Sequence, residues 1–230
     1  MAEPILYGFQ ASTYVNIVRL VLSHKEIPFQ FRDLESVMGT PEHLALHPFN
    51  RVPVFEHDGF RVYETIAIVT YIEDAFDGPR LQPAAACDRA RMMQWLGAVG
   101  SYYYYWFVYH IGHERNVFPA LGIEPDEKVV EVARPNAANA LDVLERELGD
   151  RQAFLVGEQL TLADFAMLPM VTSLSLHKDG QDLLAPRPRI LQWRQRMEDL
   201  PSVKRFRGSL PPRVPIEHAR NWVLSHRPKY

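Results

Sequence analysis

Two short stretches between residues 50 and 65 carry residue types that could hold a peptide. Pro53 stands between two valines at the mouth of a predicted strand, where proline is tolerated only at a strand start, an edge or a bulge. A cis Val52-Pro53 bond would turn the N–H and C=O of Val52 outward, where an extended peptide could pair with them as an added strand. Glu64 and Thr65 lie at a predicted helix start, where N–H groups attract a carboxylate and the Glu side chain can hold an amine. The alternative is an ordinary edge proline and an ordinary capped helix.

A third candidate is the hydroxyl of Ser12. The turn from Phe9 to Ser12 follows a short strand and delivers this serine to the start of a predicted helix. A hydroxyl at that position ordinarily accepts an N–H of the first turn, which stabilises a helix by about 1 kcal/mol. On these residues alone, Ser12 is a helix cap.

These candidate residues all belong to a predicted α/β unit. A strand at Ile5 to Tyr7, a helix, a second strand and a short helix precede a predicted hairpin. The hairpin strands, Val54 to Phe55 and Phe60 to Tyr63, flank Asp58-Gly59, a dipeptide that accepts positive φ in a two-residue turn. A further helix follows, so the order over residues 4–77 is βαβαββα, with a right-handed crossover in its parallel first half.

Everything after the prolines of residues 79–86 is predicted to be helical. Thr161 and Asp164 have the spacing of a capping box, in which each side chain bonds a backbone N–H at a helix start, and they predict a buried central helix. The predicted domains are an N-terminal α/β domain at 1–78, a linker at 79–86, an all-helical domain at 87–210 and a C-terminal tail at 211–230.

The first helix of the helical half is predicted from Cys87 to about Val117. Its apolar and aromatic residues recur at intervals of three and four, which is typical of one buried face of an α-helix. The predicted stripe consists of Met92, Trp95, Leu96, Val99, Tyr102, Tyr103, Trp106 and Tyr109.

Composition excludes several classes of protein. The net charge of -3 argues against nucleic acid as a partner. No apolar run approaches the roughly 18 residues of a membrane span, and the amino terminus has no secretory signal. A single cysteine excludes internal disulfides and makes a cytoplasmic setting the default. From Pro186 onward the chain has 11 Lys and Arg but only 3 Asp and Glu. Solvated helix faces with a loose tail explain this surplus of positive charge, and docking of an anionic ligand or partner is the alternative.

The chain resembles a cytosolic glutathione transferase over residues 4 to about 210. Three stretches in this order carry the resemblance: Gly8-Phe9-Gln10-Ala11-Ser12, Pro41 to Pro53 with its His47-Pro48-Phe49-Asn50-Arg51-Val52-Pro53 end, and Leu160-Thr161-Leu162-Ala163-Asp164-Phe165. The middle stretch is most similar to the serine-type phi class and its bacterial relatives. The resemblance implies a thioredoxin-like N-terminal domain, an all-helical C-terminal domain and a homodimer.

The resemblance also implies roles for individual residues. Ser12 would donate its hydroxyl to the glutathione sulfur, and Val52, preceding Pro53, would pair through its backbone with the cysteinyl unit. Glu64 and Thr65 would bind the γ-glutamyl end. The implied glutathione contacts are Phe9, His43, Asn50, Arg51, Val52, Pro53, Glu64 and Thr65.

Several positions distinguish this chain from other subclasses. Tyrosine-type members place their phenol where this chain has Gly8, and cysteine-type members place a thiol where it has Ser12, so both types are disfavoured. Tyr14 is a minor alternative for the sulfur contact. Phi-like relatives often carry a His-Lys pair before the Pro41 stretch, where this chain has Val37-Met38-Gly39, and Gln where it has Arg51. We expect Arg51 to take over part of the contact to the glycyl carboxylate, with His43 and Asn50 as weaker candidates.

The second substrate would lie against the first helix of the helical half. The candidates are Tyr102, Tyr105, Trp106, Tyr109 and His113, each of which could instead pack in the core. His110 and His113 are three residues apart, but without a third ligand nearby we predict no metal.

The predicted function is conjugation of glutathione, the co-substrate, to an electrophilic and largely apolar small molecule. Two alternatives stay open. A member of the family without conjugating activity could serve as a ligand carrier or interaction module, or the same thiolate could drive isomerisation or peroxide reduction. The sequence does not identify the second substrate.

Overall fold

The computed structural model describes residues 2–149, 152–209, 224–225 and 227–228. The chain divides into two units, one built from the residues up to Pro79 together with the helix Pro201–Gly208, the other from Arg80–Leu200. The boundary after Pro79 falls within the predicted linker at 79–86. The predicted tail, 211–230, lies almost entirely outside the described residues.

The N-terminal unit has the predicted βαβαββα order, which confirms the thioredoxin-like fold. Its four-stranded mixed sheet has the strand order β2-β1-β3-β4, with β1 parallel to β2 and antiparallel to β3. Asp58 and Gly59 both have positive φ, 48° and 78°, in the two-residue turn between β3 and β4. The elements are β1 (Ile5–Gly8), α1 (Thr13–His24), β2 (Gln30–Asp33), a 3₁₀ turn (Glu35–Val37), α2 (Pro41–Leu46), β3 (Val54–His57), β4 (Phe60–Tyr63) and α3 (Thr65–Ala75).

The helix Pro201–Gly208, α10, belongs to the N-terminal unit by its contacts, although it lies within the predicted helical domain at 87–210. It packs on α1, where Val203 is fully buried and Phe206 is 6% exposed. The Ser23 hydroxyl donates to the carbonyl oxygen of Ser202 (2.9 Å), and Arg205 donates to that of Ser23 (2.7 Å). The end of the long helical segment therefore returns to the first helix of the chain.

The second unit is helical around one buried helix, α7. Among the described residues, no helix is long and apolar enough to cross a membrane. The elements are α4 (Ala86–Ala98), a π-helix (Val99–Val117), α5 (Phe118–Ala120), α6 (Glu127–Glu147), α7 (Leu162–Leu174), α8 (Lys178–Leu184) and α9 (Pro188–Asp199).

The π-helical segment changes which aromatic residues are buried. Its backbone bonds span five residues, as from the N–H of Phe118 to the carbonyl of His113, so it has more residues per turn than an α-helix. The buried positions of its first half follow a spacing of four, at Val99, Tyr103 and Phe107. The predicted stripe was therefore wrong at Tyr102, which is 60% exposed.

The start of α7 is fixed by a buried carboxylate. Asp164 accepts hydrogen bonds from the N–H and the hydroxyl of Thr161 (2.9 and 3.0 Å), the N–H of Leu155 (2.9 Å) and the indole N–H of Trp193 (2.9 Å). Burial raises the pKa of Asp164, while these four donors favour its ionised form. The predicted capping box is confirmed, and its acid also ties α7 to α9 and to the preceding loop.

Candidate functional site

The strand register brings the three candidate stretches to one end of the sheet. Tyr7 of β1 lies beside Val54 of β3, and Val54 lies beside Tyr63 of β4. The turn after β1, the residues before β3 and those after β4 therefore leave the sheet at the same end. These are the segments that carry Ser12, Val52-Pro53 and Glu64-Thr65.

Ser12 is the N-cap of α1. Its hydroxyl oxygen accepts the N–H of Val15 (3.3 Å), and its own backbone N–H donates to the carbonyl of Phe9 (3.2 Å). The half-buried hydroxyl donates to none of the described residues, so its proton can be offered to a ligand. Gly8 allows this turn because a Cβ there would lie 2.4 Å from a methyl carbon of Val15.

The turn before Ser12 is held by side chains that the sequence did not single out. The Asn16 amide donates to the carbonyl oxygen of Gln10 (3.2 Å), and the Arg19 guanidinium donates to the Gln10 side-chain oxygen. Arg19 is only 7% exposed, and the one signal for this in the sequence is its place between the apolar residues Val18 and Leu20. These contacts place Gln10, and with it the backbone between Phe9 and Ser12.

The Val52-Pro53 peptide bond is cis, which confirms the predicted isomer. The N–H and C=O of Val52 bond to no other residue within the part of the chain that the structure describes. Pro53 is buried and Val52 is half-buried. An unpaired backbone segment beside a strand end can accept an extended ligand as an added strand.

Glu64 has a backbone conformation that non-glycine residues rarely adopt. Its φ is 72° and its ψ is 116°, and its carbonyl accepts the N–H of Ile68 (2.9 Å) to begin α3. The Glu64 side chain is exposed and does not cap the helix, whereas Thr65 is 8% exposed. Strain of this kind is concentrated at functional sites because the surroundings must hold it in place.

The predicted contacts to the glycyl carboxylate differ in accessibility. His43 is fully buried, its Nδ1 accepting the N–H of Gly39 (3.1 Å) and its Nε2 donating to the carbonyl of Arg51 (2.9 Å). Both ring nitrogens are thus occupied, which disfavours a direct ligand contact and makes His43 a support for Arg51. Arg51 is exposed, and Asn50 has a positive φ of 55° with a buried side-chain oxygen that bonds to no described residue.

The rings of His47, Phe49 and Tyr63 form an aromatic group in the N-terminal unit. The rings of His47 and Tyr63 are 4.7 Å apart between centroids, and Phe49, 66% exposed, lies 6.1 Å from Tyr63. Burial lowers the pKa of His47 to about 4, and the nearby charge of Arg51 acts in the same direction. His47 is therefore neutral near pH 7.

In the helical unit, four of the five predicted second-substrate residues form one aromatic cluster. The ring of Tyr105 lies 4.6 Å from that of Trp106 and 5.9 Å from that of Tyr109, and Tyr109 lies 5.5 Å from His113. Tyr105 is 40% exposed, and Trp106, Tyr109 and His113 are half-buried. Tyr102 has no ring contact with the described residues, so it stands apart from this cluster.

At the centre of the cluster lies His110, which the sequence offered only as a metal ligand. It is fully buried, its ring is 4.2 Å from that of Tyr105, and its Nδ1 donates to the Tyr105 carbonyl (2.7 Å). Burial lowers its pKa. No group of three or more His, Cys, Asp and Glu suited to a metal ion occurs among the described residues.

Two family models match the chain: the glutathione S-transferase N-terminal domain at residues 6–80 and the C-terminal domain at 66–201. Glutathione S-transferase 3 of Zea mays is 32% identical over 92% of this chain and 96% of its own length. A solved structure of glutathione S-transferase III in its apo form has a TM-score of 0.83, with 29% identity, covering 93% of this chain and 100% of that one. A probable maleylacetoacetate isomerase 1 of Drosophila melanogaster is 27% identical over 95% of this chain and 87% of its own length.

The four-stranded mixed sheet followed by a helical unit is the architecture that both family models and the solved apo structure share with this chain. The chain belongs to the glutathione S-transferase family, as the matched models and the maize relative show. Its phi-like character is supported by the phi-class plant relatives. Glutathione is the co-substrate of that family.

Proposed function

We propose that this chain conjugates glutathione to an electrophilic, largely apolar small molecule, with Ser12 stabilising the reactive thiolate. The observation that carries the proposal is the Ser12 hydroxyl, whose oxygen accepts an N–H while its proton meets no acceptor among the described residues. This hydroxyl lies at the N-terminus of α1, where the helix dipole favours negative charge. A thiolate there receives both a hydrogen bond and a favourable field.

The energy required is of the size that these groups can provide. Lowering the pKa of a thiol by about two units corresponds to about 2.7 kcal/mol. One hydrogen bond to a charged atom contributes about 1.5–3 kcal/mol, and a helix N-terminus adds about 0.3–1 kcal/mol. The serine and α1 together can therefore keep a substantial fraction of the bound thiol ionised near pH 7.

The rest of glutathione has matching partners on the same sheet end. The cysteinyl backbone pairs with the free N–H and C=O of Val52, next to the cis Pro53. The exposed Glu64 carboxylate binds the γ-glutamyl amine, and the first N–H groups of α3, beginning at Thr65, bind the γ-glutamyl carboxylate. Arg51 binds the glycyl carboxylate, with Asn50 next to it in the chain and His43 bonded to its carbonyl, and Phe9 is a further proposed contact to glutathione.

The aromatic cluster provides apolar surface for the second substrate. Tyr105 is exposed, Trp106, Tyr109 and His113 are half-buried, and all four rings carry a polar tip, as expected of a site for a largely apolar molecule. Tyr102 is exposed enough to contact a substrate but lies outside that cluster.

Isomerisation is a second candidate, favoured by the similarity to the probable maleylacetoacetate isomerase 1. The same thiolate would add to the substrate and leave again, so no residue beyond the glutathione site need differ. Purified protein assayed with a panel of electrophiles, peroxides and isomerisable substrates separates these activities. If none reacts and calorimetry detects no glutathione binding at millimolar concentration, a carrier role is supported instead.

The serine assignment is tested with Ser12→Ala and Ser12→Thr. We expect Ser12→Ala to lower turnover of a model electrophile at least about tenfold, or roughly 1.4 kcal/mol, while glutathione still binds. Ser12→Thr keeps both the hydroxyl and the helix cap, and should retain most of the activity. Ultraviolet titration of bound glutathione should show a raised thiol pKa in Ser12→Ala alone.

This titration separates catalysis from capping, because loss of the cap would lower stability in Ser12→Ala without moving the thiol pKa. Unchanged turnover and an unchanged thiol pKa in Ser12→Ala would contradict the assignment, and Tyr14→Phe would then test the alternative donor.

A homodimer in the cytoplasm is the proposed setting. The exposed Phe49, held beside His47 and Tyr63, offers an apolar contact for a second copy of the chain. Light scattering coupled to gel filtration should give twice the 26.5 kDa chain mass, and Phe49→Ser should shift the equilibrium toward monomer. A monomeric wild-type protein at micromolar concentration would contradict the dimer.

A further inference from the structure

The π-helix at Val99–Val117 packs its rings differently from an α-helix. Because its hydrogen bonds span five residues, a side chain neighbours the residues both four and five positions further along. Ring contacts occur at both spacings: Tyr105 lies 5.9 Å from Tyr109, four residues on, and 4.2 Å from His110, five residues on. The rings on this face of the helix therefore form a continuous surface.

His110 occupies the hollow between two rings of the preceding turn. Its centroid lies 4.2 Å from that of Tyr105 and 4.9 Å from that of Trp106, at interplanar angles of 59° and 49°. The ring of Tyr109 is 5.4 Å away and nearly perpendicular. His110 is fully buried, whereas its three neighbours are exposed or half-buried. It therefore lies beneath three of the four rings of the aromatic cluster.

The imidazole also bonds the backbone of a ring that it supports. Its Nδ1 lies 2.7 Å from the carbonyl oxygen of Tyr105, and because a carbonyl can only accept, Nδ1 carries the proton. Burial lowers the pKa of His110, so the ring is neutral near pH 7. The bond joins two successive turns of the π-helix and holds the peptide unit between Tyr105 and Trp106.

An ordinary core histidine would explain the burial of His110 but not the direction of its bond. The buried row of the same helix includes Tyr103, whose hydroxyl donates to the carbonyl of Ala140 on α6 (3.0 Å). That bond joins two helices, as expected of a core residue. His110 instead donates within its own helix, to the residue that carries an exposed ring of the cluster, Tyr105.

A second buried polar residue fixes the other end of this row. Glu114, four residues after His110, is fully buried, and its Oε2 accepts the N–H of Asp126 (2.8 Å), the N-cap of α6. Its charge opposes the effect of burial on the pKa of His110. The row of Trp106, His110 and Glu114 thus connects the aromatic cluster to the start of a neighbouring helix.

We propose that His110 is a positioning residue for the second substrate, an inference that rests on the proposed function of the aromatic cluster. By holding the peptide unit between Tyr105 and Trp106, its Nδ1–H fixes the angle at which these rings meet the substrate. Rings held in place discriminate between apolar molecules by shape, because a body that does not match them cannot make them adjust. Without the bond, the rings adjust and the discrimination falls.

The test uses two electrophiles with one reactive group and different bodies, benzyl isothiocyanate and hexyl isothiocyanate. In both, the glutathione sulfur bonds to the isothiocyanate carbon and the thiol proton ends on nitrogen. The ratio of their kcat/KM values therefore reports discrimination by shape, since the chemical step is common to both. We expect the wild-type protein to prefer the benzyl compound at least about fivefold, because its ring can stack on Tyr105.

Three variants of His110 separate its hydrogen bond from its packing. His110→Phe keeps a ring in the hollow but removes the donor, and should reduce the preference at least about threefold. His110→Asn places an amide N–H near the position of Nδ1 and should restore most of the preference. His110→Gln, whose amide reaches the position of Nε2, should not. The KM for glutathione and the pKa of its bound thiol should stay unchanged in all three.

Two further variants serve as references. Tyr103→Phe is the matched control, because it removes a buried hydrogen bond from the same π-helix away from the cluster, and it should keep the wild-type preference. Tyr105→Ala removes the ring itself and should lower the preference. If Tyr105→Ala lowers the preference while His110→Phe does not, the positioning role is refuted and the cluster remains the substrate site. If neither variant changes it, the cluster is not the substrate site and both proposals fall.

The remaining outcomes are also decisive. Equal kcat/KM values for the two compounds in the wild-type protein would refute discrimination by shape. A loss of preference in Tyr103→Phe as large as in His110→Phe would show general loosening of the helix and overturn the role of His110. Should His110→Phe fail to fold, His110→Asn and His110→Gln decide the question, since equal preferences in these two variants would contradict a bond made through Nδ1.

Discussion

At Glu64, a backbone conformation that costs stability accompanies a side chain proposed to bind glutathione. A non-glycine residue at φ 72° and ψ 116° costs about 1–3 kcal/mol unless its surroundings hold it there. The conformation places an acidic side chain at the start of α3 without capping it, so the carboxylate stays available for a ligand. In the proposed function, this backbone serves ligand binding rather than folding.

Two substitutions separate these roles. Glu64→Gly should raise the free energy of unfolding by about 1 kcal/mol, because glycine adopts positive φ freely, yet weaken glutathione binding. Glu64→Gln keeps the backbone constraint but loses the charge, and should raise KM for glutathione about tenfold with little change in kcat. Urea unfolding and steady-state kinetics measure the two effects. A Glu64→Gly protein less stable than wild type would show that the conformation is not strained.

The structural role of a single residue was predictable where it depends only on residues close to it in the sequence. Ser12 and Pro53 were found because caps and strand prolines follow rules that span a few residues. The burial and contacts of His43 and Arg19 were not predicted, because their partners, Arg51 and Phe206, are brought to them by tertiary packing. The sequence predicted His43 to contact a ligand, whereas the structure uses both its nitrogens internally.

Among the secondary-structure elements, the start of a helix was predicted better than the backbone geometry of its interior. The Thr161 and Asp164 spacing correctly predicted the start of α7, because a capping box is confined to one turn. The π-helix at Val99–Val117 was not predicted, since a run of tyrosines fits periods of three or four equally well. The consequence is a different set of exposed rings, with Tyr102 separated from the Tyr105 cluster.

The cap of α8 makes stability depend on pH. The His177 Nδ1 accepts the N–H of Gly180 (3.1 Å), which requires a neutral ring. Burial lowers the pKa of His177 to about 4, with Arg115 and Arg134 acting in the same direction and Asp179 opposing them. Between pH 6.5 and about 4 the unfolded histidine binds a proton that the folded one does not, so acidification favours unfolding.

We therefore expect His177→Asn to be less sensitive to acid than wild type. Asparagine also caps a helix start but does not titrate, so the fall in unfolding free energy from pH 6.5 to 4 should shrink by up to about 3 kcal/mol. His47 titrates in both proteins and cancels in the difference. Denaturant unfolding at several pH values measures the two curves, and parallel curves would show that the cap is not the acid-sensitive group.

On the scale of the whole chain, the N-terminal unit is discontinuous in sequence. Its sheet is complete by Tyr63, but α10 returns after more than a hundred residues of helical chain to cover α1. Local periodicity predicts that a helix exists near residue 203 but cannot say which surface it covers. The predicted domains followed sequence order, whereas the contacts of α10 group it with the N-terminal unit.

The contribution of α10 can be measured by comparing two truncated chains, one ending at Leu200 and one ending at Ser209. The shorter chain loses the buried Val203 and Phe206 and the hydrogen bonds from Ser23 and Arg205. At about 1.5–3 kcal/mol for each of the two buried side chains, α1 should lose about 3–6 kcal/mol of protection in hydrogen exchange. The chain ending at Ser209 keeps α10 and controls for removal of the last residues. Equal protection of α1 in both chains would mean that the N-terminal unit is stable without its distant helix, and that its stability, like its sheet, is complete within the first 79 residues.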